Sequence, residues 1–196
     1  MGAFVDYLDL RLAVADLVKS RNITDVMRRL TLTAESRLDS DLRTRHQITD
    51  GVVTFTGGTG TLPANFLEMI NVYGVSNYLL RSGPLSDARR SGSMFYRYTI
   101  SGTSIYIQGY TGGRDIQYYA RIPTLTTSDA TTNWLLERYP NVYLYAIGLE
   151  AAIHLQDMER AELITGQLEI AKRAIMTDDE RARYSNASVR VQGMTP

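Results

Sequence analysis

The sequence predicts an α+β fold: a helical bundle from N- and C-terminal helices with an antiparallel β-rich insertion and an extended C-terminal tail. Three observations lead there. Apolar residues recur at helical spacing at both ends of the chain. Between those ends Gly, Thr and Tyr are frequent, and alternation replaces the helical period. Beyond residue 183 both patterns fade into small and polar residues. The expected divisions are 1–43 for the N-terminal helices, 44–125 for the β-rich insertion, 126–183 for the C-terminal helices and 184–196 for the tail.

The first helix is expected between Phe4 and Lys19, where Leu8, Leu12, Ala15 and Val18 share one stripe. Asn22 and Thr24 offer capping oxygens for a second helix. That helix shows Met27, Leu30, Ala34, Leu38 and Leu42 on one side and Arg28, Arg29, Glu35, Arg37, Asp39 and Asp41 on the other. Both are amphipathic, so each needs a cover for its apolar face. Asp50-Gly51, between Gln47-Ile48-Thr49 and Val52-Val53-Thr54-Phe55, is a hairpin signal. Gly57 to Gly60 reads as a loop, Phe66 to Tyr73 as a strand, and Ser82 to Gly92 as a loop with a helical turn. Strands follow at Phe95–Ile100, Ser104–Gln108 and Asp115–Arg121, with Gly turns between them. Helical spacing returns at Asn133, and Pro140 suits a first turn. A last helix is expected from Met158 to Met176.

Composition narrows the function. A chain of 196 residues with 44% hydrophobic and 21% charged residues can build a core without a disulfide or metal staple. Lys and Arg number 21 and Asp and Glu 21, so the formal net charge is zero. Proteins that grip nucleic acid by counterion release carry a basic excess, so DNA binding is not expected as the main task. The absence of cysteine excludes thiolate nucleophiles and cysteine-ligated metal centres. The N-terminus lacks a basic stretch followed by an apolar core, and charges interrupt every apolar run. No membrane association is expected.

No motif carries catalysis. Gly57-Gly58-Thr59-Gly60 lacks the Gly-Lys-Ser/Thr of a phosphate loop and reads as a turn. His46 and His154 are far apart in sequence; His154 is expected as a core histidine and His46 as a strand decoration. The acidic runs at Asp39 and Asp41 and at Asp178-Asp179-Glu180 are expected as solvated surface near helix ends. No Gly-x-Ser-x-Gly elbow occurs. Catalytic, cofactor-binding and metal residues are therefore none. Of the thirteen tyrosines, eight lie between Tyr73 and Tyr119. Strand propensity accounts for them as well as a contact surface does, and stacking on sugar or single-stranded nucleic acid is a third reading.

Three stretches carry a resemblance: Leu62-Pro63-Ala64-Asn65-Phe66-Leu67-Glu68, Tyr118-Tyr119-Ala120-Arg121-Ile122-Pro123-Thr124-Leu125, and Thr132-Asn133-Trp134-Leu135-Leu136-Glu137-Arg138-Tyr139-Pro140 running on to Ala152. In that order they resemble the head-to-tail adaptor, or head-completion, proteins of tailed bacteriophages and related gene transfer agents, from about Asp6 to Arg183. The resemblance implies a non-enzymatic subunit of a twelve-membered ring beneath the portal, in the neck of the virion. Such a ring extends the channel for genomic DNA, without sequence-specific binding, and docks tail or nozzle proteins. It also implies that the C-terminal segment reaches the portal protein, which assigns portal contacts to Tyr184, Val189, Arg190, Val191 and Met194. Val189-Arg190-Val191 suits addition to a partner's strand; a frayed terminus is the plainer reading. Arg28 and Arg37 against Asp39 and Asp41 are candidates for setting the register between neighbouring subunits. The competing expectation is a tyrosine-rich carbohydrate- or receptor-binding tail accessory module. A hydrolase without recognisable motifs is a third.

Overall fold

Asp6 opens the first helix, α1 (Tyr7–Leu17), by accepting the Asp9 amide at 3.0 Å. This geometry comes from a computed structural model, which describes residues 3–20, 22–74, 78–84, 86 and 97–184. Tyr7, Leu10 and Val14 lie on the buried face of α1, with Val18 just beyond its end. A 3₁₀ turn at Thr24–Val26 leads into α2 (Met27–Asp41). No side chain caps α2, so neither Asn22 nor Thr24 plays the expected role.

Asn133 caps α3 (Trp134–Arg138), its Oδ1 accepting the amides of Leu135 and Leu136 at 3.1 and 3.0 Å. Pro140 then begins α4 (Pro140–His154). A helix buried on nearly every side belongs at a centre, and α4 is buried at Val142, Tyr143 and without a break from Ala146 to Ala152. At Gly148 a Cβ would sit 2.7 Å from Leu17 Cδ2, so glycine is what admits α1 there. α5 (Met158–Tyr184) buries Ala161, Ile164, Leu168 and Ile175. It runs well past the expected end at Met176. The acidic run 178–180 therefore lies inside the helix, not at its end. Asp179 is buried and meets Arg183 at 2.8 Å one turn on, while the Tyr139 hydroxyl donates to Asp178.

The strands are β1 (Ile48–Thr56), β2 (Thr59–Thr61), β3 (Phe66–Val72), β4 (Arg81–Ser82), β5 (Arg97–Ser101), β6 (Ser104–Tyr106) and β7 (Gly112–Ala120). They form one sheet in the order β3-β7-β1-β2-β6-β5-β4. Here the expected fold class is corrected. The sheet is mixed, because β4 and β5 run parallel, and it curls into a nearly closed barrel. Its two edges approach where Tyr73 bridges Leu79 and the Leu80 amide donates to Val72 at 2.8 Å. The strands are not an antiparallel insertion on a helical bundle. They enclose a core of their own, with Val53 and Phe55 of β1 and Ile116, Tyr118 and Ala120 of β7 alternating inward to meet Val72, Ile105 and Ile107. Alternation along single strands reports which residues face inward, but not whether the edges meet.

Asp50 and Gly51 make no hairpin. β1 passes straight through them and stays paired with β7 from Ile48 to Phe55. The reversal comes instead at Gly57 and Gly58, whose φ values of 58° and 88° match a two-residue hairpin turn that wants glycine at both positions.

The chain thus divides into two compact units, one from Met1–Thr44 with Pro123–Pro196 and the other from Arg45–Ile122. The expected tail begins at Tyr184, which is instead the last residue of α5; residues 185–196 lie outside those described.

Candidate assembly surface

The residues expected to set inter-subunit register are all on α2. Arg37 Nη2 lies 2.9 Å from Glu150 Oε1 of α4, and Asp41 accepts from Lys172 of α5 at 2.7 Å. Lys172 also meets Glu169 at 2.7 Å. Both candidates are thereby engaged within the chain, holding α2 to its neighbours. The Asp39 carbonyl accepts from Arg43 at 2.7 Å. Arg28 is exposed beside a shallow depression shared with Tyr7, Arg11 and Asp129, where Arg11 and Asp129 pair at 2.6 Å. At 1.5 Å per residue, Arg28 and Asp41 stand about 20 Å apart along the helix, so they do not form one patch. Of the expected portal contacts, Tyr184 closes α5, and Val189, Arg190, Val191 and Met194 lie outside the described residues.

The polar centre of the helical unit is a residue expected on the solvent side. Glu35 is only 5% exposed. Its Oε1 accepts the Leu125 amide at 2.8 Å and the Tyr143 hydroxyl at 3.3 Å. Asn133 donates to that hydroxyl at 2.8 Å and to the Pro123 carbonyl. One carboxylate therefore joins α2, α4 and the segment that enters α3. Burial pushes the Glu35 carboxyl above its ordinary value, outweighing the hydrogen bonds from Leu125, Thr124 and Tyr143 that pull it down. Burial likewise drives the Tyr143 hydroxyl well up, with the Glu35 charge adding to it. The signal was in the spacing, because Glu35 falls in the row Thr31, Glu35, Leu38, Leu42, and the other three are buried.

No group of three or more His, Asp or Glu among the described residues is placed to hold a metal ion. His154 is exposed on α4, correcting its expected place in the core, and His46 sits in a 3₁₀ turn (Arg45–Gln47) ahead of β1. None of the described helices is long and apolar enough to cross a membrane.

Comparison with known families gives the chain its class. The model of the family described as SU10 adaptor protein matches residues 5–192. The chain belongs to the SU10 adaptor protein family. As an SU10-family adaptor it is a structural protein of phage. No curated protein matches the chain. The strand tyrosines of this adaptor serve mainly its own barrel. Tyr98 and Tyr118 are buried, and the Tyr118 hydroxyl donates to Asn65 at 3.0 Å. Tyr110 meets Phe55 edge-on at 5.7 Å, with the Arg114 guanidinium 4.0 Å from its ring centre. Tyr106 and Tyr119 are half-buried, and Tyr96 lies outside the described residues.

Proposed function

We propose that the chain is a subunit of a ring of twelve copies, seated beneath the portal of a tailed phage in the neck of the virion. The ring continues the channel for genomic DNA and offers its far face to tail or nozzle proteins. The observation that carries this reading is the extent of the family match, which starts before α1 and continues past the end of α5 through residue 192. The pattern shared with the family thus includes most of the final segment. In this reading Tyr184, Val189, Arg190, Val191 and Met194 contact the portal protein. A short segment binds weakly alone, but a ring presents many at once, and the gain in effective concentration raises avidity by roughly 10²–10⁴. Arg28 remains available for contact with a neighbouring subunit, whereas Arg37 and Asp41 act first inside their own chain.

The test is to mix the chain with the portal protein of the same genome, with and without residues 185–196, and to size the products. Co-migration of the full chain and its loss on truncation are expected. Equal co-migration of both chains would remove the C-terminal segment from the portal contact.

A further inference from the structure

Two helices of the same unit carry apolar side chains that nothing in the described chain covers. On α1, Leu8 and Leu12 are 43% and 60% exposed and stand one turn apart, with exposed Asp16 one turn further. On α5, Leu163 and Ile170 are 68% and 62% exposed. Between them lies Gly166, where an added Cβ would meet nothing within 4 Å. Glycine is the poorest helix former after proline. No packing among the described residues explains it in the middle of a long helix. At 1.5 Å per residue, Leu163 and Ile170 are about 10 Å apart, which leaves room over Gly166 for one large side chain.

We infer that the occupant is Leu12 from a neighbouring copy of the chain, and that the α1 and α5 rows form the lateral contact of the ring; this rests on the ring reading above. With Leu12 over Gly166 and the two helices parallel, Leu8 falls beside Leu163 and Asp16 beside Ile170. Side chains on a helix lean toward its N-terminus, so Arg173, one turn beyond Ile170, reaches back toward Asp16. Neither Asp16 nor Arg173 has an ion pair among the described residues. One row thus ends in a spare negative charge and the other in a spare positive one. Two different, complementary patches make a head-to-tail contact, the kind that generates a ring when its rotation closes.

Because the chain has no cysteine, cross-linking reads this contact directly. The Leu12→Cys/Gly166→Cys double variant and each single variant are assembled on the portal protein of the same genome, sized, oxidised and run without reductant. The double variant is expected to give a ladder of covalent multimers, and each single variant only monomers. A Leu12→Glu chain is expected to lose lateral assembly at least tenfold while its melting temperature stays unchanged. Rings that form but yield no ladder from the double variant, or dimers from a single variant, overturn the inference and leave the adaptor reading standing. Failure of the unmodified chain to assemble on the portal defeats the adaptor reading, and this contact with it.

Discussion

Asn133 performs two separate tasks with one side chain. Its oxygen caps α3, and its amide nitrogen reaches both Pro123 and the Tyr143 hydroxyl. Loss of a cap alone costs about 1 kcal/mol, and loss of the amide donor to the buried Pro123 carbonyl and Tyr143 hydroxyl oxygen adds about 1 kcal/mol or more. Asn133→Ala is therefore expected to lower stability by about 2 kcal/mol in urea unfolding. Asn133→Asp keeps the cap but not the donor and should fall between. Gly166 predicts the opposite sign. Its missing Cβ meets open space, so Gly166→Ala should stabilise the isolated chain by about 1 kcal/mol through helix propensity alone. A destabilised Gly166→Ala chain would mean that the residue is needed inside its own fold.

At the scale of elements, α2 is held by the buried Glu35 network at its middle and by ion pairs toward its end. These pairs, each with one exposed partner, contribute about 0–1 kcal/mol apiece, so the buried network decides how α2 responds to pH. Folding raises the Glu35 carboxyl's pKa, which means that the folded chain holds this proton more tightly than the unfolded one. The stability contributed is complete below the unfolded pKa and is lost as pH rises through the folded one. Glu35→Gln removes that titration. As pH rises above the ordinary carboxyl value of 4.5, the variant should therefore gain in melting temperature relative to the parent chain. Parallel pH profiles would show that Glu35 does not titrate in this range. The stripe expected of α2 was right because burial on one side produces it, whereas the stripe expected of α1 ran through Leu8 and Leu12, which are exposed while Tyr7, Leu10 and Val14 face inward. Glu35 was misjudged because a charged residue in an apolar row is ordinarily a surface residue, and only the partners Leu125 and Tyr143, distant in sequence, make its burial tolerable.

For the whole molecule, individual strands were legible but their closure was not. Alternation marks Val53, Phe55, Ile116 and Tyr118 as inward-facing, yet nothing local announces that β4 runs parallel to β5 or that Tyr73 meets Leu79. The hairpin was misplaced for a related reason. Asp50-Gly51 and Gly57-Gly58 are both turn-competent, and the long pairing of β1 with β7 selects the second. The expected register residues were chosen by charge alone, and charge does not distinguish a pair inside the chain, such as Arg37 with Glu150, from one between chains.

The proposed role is assembly, with many copies of the chain on one portal and not a single bound subunit. Native mass measurement of the complex with the portal protein of the same genome counts the copies. Twelve chains per portal ring is the predicted mass. A complex carrying one or two chains, or a folded chain that leaves the portal mass unchanged, would contradict it.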